Sequence, residues 1–471
     1  MNILICLFIL SFAYDLPLAS FYSKWATLKL TDVMGAVFLL AYLGRKITIR
    51  DSVIYPRQLA RPLLAMFGIA CASSIITFIF MHERMGLYLA VCYSGYWLGK
   101  LALGVICYLV IYEFAFNRDN AGKFLVAIWF NGILVSLYGL LQYLEIMQQP
   151  WGKDMLTQQA ITSSLSFNHV HLGMHMAVII FLTLGLFFKE QRGRMKLLYG
   201  LSLPLFLTVE GLSLTRGTWI GVMLSLIAMM FWMVFASDFL RDRFKQLATA
   251  MVILILALSL MGSFEQVRKR FDVYGLFHQY VVQEYYNPAD EEALTDALET
   301  RRDVRKFFFD MILDNPEDFV LGRGFMSAYM RYDFTGAHQE LLDILHDSGV
   351  LGLLVYLWLV GSMLKLLWAQ MHNKRDEWQP LYYSYFFGVM ALLINSLLSG
   401  FFTINHSVGN FLAFFLTTLS VIVASAQGHR QSENLHWCQF QPSSPGCPWA
   451  LAGPGMGPEP LPLGSLETCW K

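Results

Sequence analysis

The sequence predicts an all-α, polytopic membrane protein with about 12 transmembrane helices and one large loop outside the membrane. Three observations support this fold class. Hydrophobic residues make up 56% of the 471 residues and charged residues only 14%, whereas a soluble domain carries roughly 25% charged residues. Apolar runs long enough to cross a bilayer recur along the chain, and basic residues concentrate in alternate short loops. The formal net charge is zero, so nothing predicts a nucleic-acid partner.

The candidate spans follow the apolar runs, and the first, second and seventh are the weakest. The N-terminal run lacks a basic flank and a small-residue cleavage site, so we interpret it as a membrane segment and not as a signal peptide. The predicted spans are residues 2–20, 31–47, 60–81, 98–117, 123–146, 170–188, 196–214, 217–237, 246–263, 348–369, 380–401 and 407–426.

The charges of the short loops predict the orientation. If both termini are cytoplasmic, the inside loops hold 17 basic residues and the short outside loops hold six, Lys24, Lys29, Arg84, Lys100, Lys153 and Arg216. This distribution fits the positive-inside rule. The loop at 264–347 is too long to count and is predicted to lie outside.

The chain is therefore divided into a transmembrane domain at 1–426, which contains the 264–347 loop, and a tail at 427–471. The tail is dense in Pro, Gly and Ser without periodicity, so we expect it to be disordered. The seven cysteines form no Cys-x-x-Cys pair and indicate neither a disulfide framework nor zinc.

The outside loop shows its own local order. Apolar residues recur at helical spacing from Ala289 to Leu313, and Asn315-Pro316 is expected to end that helix. Gly322 to Gly324 is predicted to be a turn. A second helix is expected to begin near His338 and to continue into the tenth span.

Arg216 lies in a short hinge between the seventh and eighth spans. An arginine at this position is costly without a partner, and its planar head suits a phosphate or diphosphate. The alternatives are an arginine that snorkels to lipid headgroups or one that pairs with Glu210.

His338 precedes the tenth span, at the boundary between water and lipid. An imidazole has an ordinary pKa near 6.5 and accepts a proton from a hydroxyl at neutral pH, so His338 is the candidate general base. The alternative is a hydrogen-bonded histidine at the start of a helix. His346, two helical turns further on, is a weaker candidate.

Two further groups of basic and histidine side chains have competing interpretations. Arg301, Arg302 and Arg305 on the loop helix form either a solvated face with i,i+4 pairs or a second cationic arm over a diphosphate. Lys269 and Arg270 have the same ambiguity. His169, His171 and His175 open the sixth span; His171 and His175 have a metal-ligand spacing, but no carboxylate or cysteine lies close in sequence. Substrate hydrogen bonding or packing is the expected role, and no metal is predicted.

Four segments together resemble the O-antigen ligase and O-antigen polymerase superfamily, in order and on the expected side. Ser166 to Gly173 (SFNHVHLG) resembles the start of a middle span, and Ser213 to Trp219 (SLTRGTW) resembles the family's arginine hinge. Arg301 to Gly324 resembles its loop helix, proline stop and Gly-x-Gly turn. Ala337 to Leu345 (AHQELLDIL) with Ser348 to Gly352 (SGVLG) resembles its histidine signature, with Gln339 in place of the usual Asn. The resemblance covers residues 1 to about 426.

This resemblance implies a GT-C-like glycosyltransferase of the bacterial inner membrane, with both termini cytoplasmic and the site facing the periplasm. It implies transfer of a glycan en bloc from undecaprenyl diphosphate to an acceptor outside the inner membrane, which we expect to be lipid A-core. A single direct displacement predicts inversion, and the lack of a plausible ligand cluster in the sequence predicts that no metal or cofactor is needed. His338 would be the base, and Arg216 with Arg301 or Arg302 would hold the diphosphate. The weaker substrate-binding candidates are His169, His171, Gln339 and Arg323.

Three functions remain open from the sequence. A ligase and a polymerase share the chemistry and differ in the acceptor; a protein O-oligosaccharyltransferase is a close variant of the polymerase. We favour the ligase because one compact outside loop holds the basic helix and the histidine together. A lipid-linked glycan transporter is disfavoured, because no internal repeat is visible and the candidate residues gather at one surface.

Overall fold

The computed structural model describes most of the transmembrane part of the chain. The described residues are 1–14, 17–20, 27–49, 57–147, 164–165, 169–235, 248–256, 259, 262–264, 267, 305–312, 316–327, 331, 339–373, 376–399 and 409–440. Within these ranges the chain is nearly all helical, as expected. The one exception to the all-α prediction there is a two-stranded antiparallel sheet.

The elements are numbered here in chain order. They are α1 (Asn2–Ser11), β1 (Pro17–Ser20), β2 (Thr27–Lys29), α2 (Leu30–Ile49), α3 (Arg57–Met85), α4 (Leu87–Ala115), α5 (Arg118–Tyr143), α6 (His169–Lys189), α7 (Gly193–Leu212), α8 (Arg216–Phe235), α9 (Pro316–Leu321), α10 (Glu340–Met371), α11 (Gln379–Ser399) and α12 (Gly409–Phe440). Residues 248–256 and 305–312 are also helical.

Among the described residues, nine helices are long and apolar enough to cross a membrane: α3 to α8 and α10 to α12. The chain is therefore a multi-pass membrane protein. The predicted ninth span at 246–263 is described only in part, with a helix at 248–256. The second predicted span corresponds to α2, which has 20 residues but is not among the nine.

The first predicted span, 2–20, is wrong as a single helix. Helix α1 has 10 residues and ends at Ser11, so its length is about 15 Å, half of a bilayer core. Pro17 then begins a strand paired with Thr27–Lys29. The apolar composition of 2–20 continues through this change, which is why hydropathy alone did not reveal it.

The loop before the fourth span is also shorter than predicted. Gly86 alone separates α3 from α4, and its φ of 85° is a backbone conformation that glycine adopts readily. Lys100, which we expected in an outside loop, lies in the middle of α4 with 7% exposure. Its ammonium group donates to Asp32 of α2 at 2.5 Å. This ion pair stabilises the charge of Lys100 in place of water.

Two ends of the helix bundle can be told apart by their polar contacts. At one end, called the basic end, Arg118 bonds Asp376 (2.6 Å) and Lys46 bonds Glu113 (2.6 Å). The opposite end, called the hinge end, contains the α3–α4 turn at Gly86 and the α7–α8 hinge at residues 213–215. The start of α1 lies at the basic end, where Asn2 bonds Asn120.

Helix α6 forms the centre of the bundle, and most of its residues are buried. It packs against α7 and α11, while α11 also packs against α8 and α10. Helix α12 packs along α4 and extends to Phe440, beyond the predicted span end at 426. Residues 441–471 of the predicted disordered tail lie outside the described residues.

Candidate functional site

The hinge between α7 and α8 contacts the start of α6, so two of the four motif segments meet. The hydroxyl of Thr215 donates to the carbonyl of His169 at 3.2 Å. Gly173 faces the hinge so closely that a Cβ there would lie 2.6 Å from the Thr218 hydroxyl and 3.2 Å from that of Ser213. The small residue at 173 therefore allows α6 to approach the hinge.

Arg216 is the first residue of α8. Its side chain lies outside what the structure describes, so the predicted diphosphate contact stays a prediction. Its backbone position is favourable for that role, because the first turn of a helix presents unpaired N–H groups and the positive end of the helix dipole to an anion.

Glu210, the alternative partner of Arg216, lies one turn before the hinge with 1% exposure. Its carboxyl group is close to Thr218, but the Thr218 hydroxyl donates to the carbonyl of Thr215 instead (3.1 Å). Among the residues that the structure describes, neither carboxyl oxygen of Glu210 has a hydrogen-bond partner. A buried carboxyl without hydrogen bonds is costly, which makes this position unusual.

The predicted turn at Gly322 to Gly324 is present, and it binds the backbone of α10. The N–H of Arg323 donates to the carbonyl of His346 at 2.6 Å, and the N–H of Gly324 donates to the carbonyl of Asp347 at 3.2 Å. The N–H of Met326 donates to the carboxylate of Asp347 at 2.9 Å. Loop and helix are thus joined by direct hydrogen bonds.

Glycine is required on both sides of this contact. Gly349 has φ 63° and ψ −168°, which interrupts α10, and a Cβ there would lie 2.2 Å from the carbonyl oxygen of Val320. Gly322 has φ 74°, and a Cβ there would lie 2.5 Å from the amide nitrogen of Ser348. The predicted tenth span is therefore one helix from Glu340 with a break where the turn docks.

Helices α3 and α4 hold the other side of the turn. The hydroxyl of Thr77 donates to the carbonyl of Phe325 at 2.8 Å, and the hydroxyl of Tyr93 donates to that of Met326 at 2.6 Å. The hydroxyl of Ser73 donates to the carbonyl of Asp347. The turn consequently connects α3 and α4 with α10.

His346, the weaker histidine candidate, is buried in this contact. Its Nδ1 is 2.8 Å from a carboxylate oxygen of Asp347, and its ring packs edge-on against Phe308 with centroids 4.9 Å apart. Its side chain has no exposed surface. This position suits a histidine that fixes the loop helix against α10 and gives a substrate hydroxyl no access.

Arg323 is half-buried and forms an ion pair with Asp318 of α9 at 2.6 Å. A substrate that binds Arg323 would have to compete with the carboxylate of Asp318.

Gln339 is the N-cap residue of α10, with extended backbone (φ −151°, ψ 117°). The candidate base His338 directly precedes it, and His338, Arg301 and Arg302 lie outside the described residues.

The histidines at the start of α6 are separated by their environments. The Nε2 atom of His175 is 2.8 Å from the amide oxygen of Asn131, and its ring stacks on Phe414 at 4.0 Å. Asn131 in turn donates to the carbonyl of Ile9 at 2.9 Å. His175 therefore connects α1, α5, α6 and α12, which is the packing role. His171 is also buried, whereas His169 is partly exposed beside the hinge.

The sequence did not indicate several of the residues that build this region. Asp347, Ser73 and Thr77 carry the turn contact, and only the sequence SGVLG around Gly349 hinted at a special backbone position. Within the described ranges, no group of three or more His, Cys, Asp or Glu side chains is arranged to hold a metal ion.

The fold and these contacts define a multi-pass membrane protein with a hinge and a docked loop turn at one end of the bundle. Residues 201–357, a third of the chain, match the family model described as O-antigen ligase. This match confirms the resemblance to the O-antigen ligase and polymerase superfamily, and it supports an enzyme of that general, glycosyltransferase-like kind. No curated protein matches the chain.

Proposed function

We propose that the protein is an O-antigen ligase, which transfers a glycan from undecaprenyl diphosphate to lipid A-core outside the inner membrane of a bacterium. The observation that carries the proposal is the family match, because residues 201–357 include the hinge arginine Arg216, the loop arginines Arg301 and Arg302, and His338. The proposed base and the proposed diphosphate-binding arginines therefore fall inside the segment that is similar to the family, whereas the weaker candidates His169 and His171 precede it.

The contacts at the hinge end support a site there. The arginine hinge, the start of α6 and the loop turn are all at this end of the bundle, and α11 packs against both α8 and α10. Helices α8 and α10 carry Arg216 and, directly before α10, His338. The hinge end can thus hold both a cationic group and a base.

The basic end supports the orientation. Arg118, Lys46 and Lys189 gather there, and the ring of Trp378 lies 3.7 Å from the ammonium of Lys189. Both the start of α1 and Gln427 of α12 are at this end, the latter bonded to Tyr112. By the positive-inside rule this end is cytoplasmic, so the hinge end faces the periplasm.

The proposed reaction is one direct displacement. The acceptor hydroxyl attacks the anomeric carbon, its proton passes to His338, and the glycosidic bond to the lipid diphosphate breaks with the electron pair leaving on the diphosphate. Arg216 and Arg301 or Arg302 stabilise the charge that develops on the leaving group. A single displacement inverts the anomeric centre, so no covalent glycosyl-enzyme forms.

The test is transfer by the purified protein in phosphatidylcholine nanodiscs, with an undecaprenyl diphosphate glycan as donor. With lipid A-core present, we expect a glycosylated lipid A-core of inverted linkage. If the donor glycan is only lengthened, the protein is a polymerase and the acceptor proposed here is wrong. A retained linkage would contradict the single displacement, and the absence of any glycan transfer would contradict the proposed function.

A further inference from the structure

The start of helix α10 folds back on the rest of the helix at Gly349. The Cγ2 atom of Ile344 lies 3.7 Å from the position that a Cβ at Gly352 would occupy. In one continuous helix, residues eight positions apart are separated by about 12 Å along the axis. The interruption at Gly349, with φ 63° and ψ −168°, is therefore a sharp reversal of the chain and not a slight kink.

A second pair of residues requires the same reversal. The hydroxyl of Tyr356 is close enough to the carboxyl group of Glu340 to interact with it electrostatically, although a continuous helix would separate the two residues by about 24 Å. Both pairs are symmetric about Ser348, as in two antiparallel segments. Residues 340–348 therefore form a short helix, called the fold-back helix, which packs against the beginning of the span at 350–371.

The fold-back helix has its acidic residues inside and its leucines further outside. Glu340 is 1% exposed and Asp343 is 6% exposed, and neither is without a partner. Leu341, Leu342 and Leu345 are only partly buried. A surface helix in water shows the opposite pattern, whereas ionisable side chains in a membrane segment face the interior of the bundle. The pattern therefore indicates that the fold-back helix lies within the membrane.

The reversal sets the depth at which the fold-back helix begins. Because Glu340 is level with Tyr356, it lies seven residues, or about 10 Å, from Gly349 towards the basic end. The hydroxyl of Tyr356 is also close to that of Ser396 in α11. The fold-back helix therefore begins inside the bundle, beside α11.

Helices α8 and α11 place the arginine hinge at the same depth. A Cβ at Gly221 of α8 would lie 2.3 Å from the carbonyl oxygen of Ala391 in α11. The two helices run in opposite directions, so five residues further towards the hinge end α8 reaches Arg216 and α11 reaches Ser396. The backbone of Arg216 is thus level with the beginning of the fold-back helix at Glu340.

We infer that the fold-back helix is re-entrant and carries the proposed base His338 into the bundle, and that Glu340 is the positioning residue that holds His338 at the depth of Arg216. His338 is only two residues before Glu340, which limits their Cα separation to about 7 Å. The inference rests on the proposed function for the role of His338. It follows that the acceptor hydroxyl reaches the base below the docked turn.

The first test measures the reversal itself and does not depend on transfer. The double variant Leu341→Cys/Val355→Cys is symmetric about Ser348, so its two thiols should lie within about 10 Å, the distance between packed helices. A continuous helix would separate them by about 21 Å. We expect a bismaleimide that spans about 10 Å to join them in nanodiscs, as shown by mass spectrometry of the linked peptides.

Leu351→Cys/Lys365→Cys is the matched control for the cross-link. Its two residues have the same spacing in the sequence, but they lie in the uninterrupted part of α10. We expect no cross-link within this chain. If the thiols of Leu341→Cys/Val355→Cys are each labelled but are not joined, the re-entrant helix is overturned.

The second test separates positioning from folding. Glu340→Gln keeps the size of the side chain and should lower kcat for glycan transfer by roughly 10- to 100-fold, the cost of misplacing a catalytic group by up to about 1 Å. The KM for the donor should stay as in the parent. Glu340→Asp keeps the carboxylate and should restore part of kcat.

Glu113→Gln is the control for the loss of a buried carboxylate. Glu113 accepts a 2.9 Å hydrogen bond from the hydroxyl of Tyr42 at the basic end, so its folded fraction should transfer glycan at the parental rate. A parental kcat in Glu340→Gln, or an equal loss in Glu113→Gln, would overturn the positioning role.

The two tests also separate the inference from the proposed function. If the cross-link forms but the parent transfers no glycan, the proposed function fails and the re-entrant helix stands. If the parent transfers glycan but the cross-link does not form, the proposed function stands and the inference fails.

Discussion

The backbone N–H of Arg323 donates a 2.6 Å hydrogen bond to the carbonyl of His346, so the turn at Gly322 to Gly324 is bonded directly to helix α10. The carbonyl is available because Gly349 interrupts the helix at this level. The loop turn and the helix that follows His338 therefore form one structural unit, and the first two predictions concern its integrity.

Gly349→Ala should break the contact between the loop turn and helix α10. Its backbone lies in a region that only glycine adopts readily, at a cost of about 1–3 kcal/mol for other residues, and the new Cβ would lie 2.2 Å from the Val320 carbonyl. We expect a clearly lower midpoint of thermal unfolding in detergent and a loss of glycan transfer. The matched control is Gly361→Ala in the same helix, where a Cβ meets nothing within 4 Å. Equal midpoints for the two variants would contradict this account.

Asp347→Ala should destabilise the protein more than Asp347→Asn. The alanine variant leaves the buried N–H of Met326 without its 2.9 Å acceptor, a loss of about 1–3 kcal/mol. The asparagine variant keeps an acceptor for this N–H and an amide that can donate to His346. The measurement is the unfolding midpoint of each variant, and a similar midpoint for both would show that the side-chain contact contributes little.

Removing both charges of the Lys100–Asp32 ion pair should cost little stability, whereas removing only the charge of Lys100 should destabilise the protein. Lys100→Met leaves the partly buried carboxylate of Asp32, 14% exposed, without this ion pair, at a cost of up to about 3–5 kcal/mol. The double variant Lys100→Met/Asp32→Leu removes both charges and should recover most of that stability. Unfolding midpoints of the four proteins in the cycle check this. A double variant as unstable as Lys100→Met would mean that Asp32 acts mainly through its bond to the N–H of Lys29 (2.8 Å).

Glu210→Met should unfold at the same temperature as the parent or higher. The substitution removes two buried oxygens that have no hydrogen-bond partner among the described residues, and removing an unsatisfied buried polar group also removes its desolvation cost. Glu210→Gln keeps a polar group of the same size and should unfold below the methionine variant. A lower midpoint for Glu210→Met would show that the carboxyl group has a charged partner, and a charge-reversal variant of Arg216 would then identify it.

The sequence predicted most membrane helices well, because hydropathy over about 20 residues is a direct consequence of bilayer thickness. The prediction failed where an apolar segment is not a helix or where a charged residue is not in a loop. The strand at Pro17–Ser20 has an apolar composition like that of a helix, and Lys100 looks like a loop residue until Asp32 is seen beside it. Pairing between distant segments is not visible in a hydropathy pattern.

The candidate site was predictable only in part, because the sequence shows local patterns but not contacts between distant segments. Local patterns indicated the turn at Gly322 to Gly324, and the hinge and the start of α6 were both singled out. Their contacts were not predictable, because they join residues far apart in the chain, as Thr77 and Phe325 do. The spacing of His171 and His175 allowed a metal site, whereas the bond from His175 to Asn131 shows a packing role that spacing cannot reveal.

The most direct test of the proposed mechanism is single-turnover glycan transfer to lipid A-core by His338→Ala, in EDTA and with saturating donor. We expect the rate to fall by roughly 10²- to 10⁴-fold, the usual contribution of a general base, while donor affinity and folding stay as in the parent. His372→Ala, an exposed histidine whose ring contacts the Trp368 carbonyl at 2.8 Å at the basic end, is the control and should transfer normally. Transfer by His338→Ala at the parental rate would contradict the mechanism.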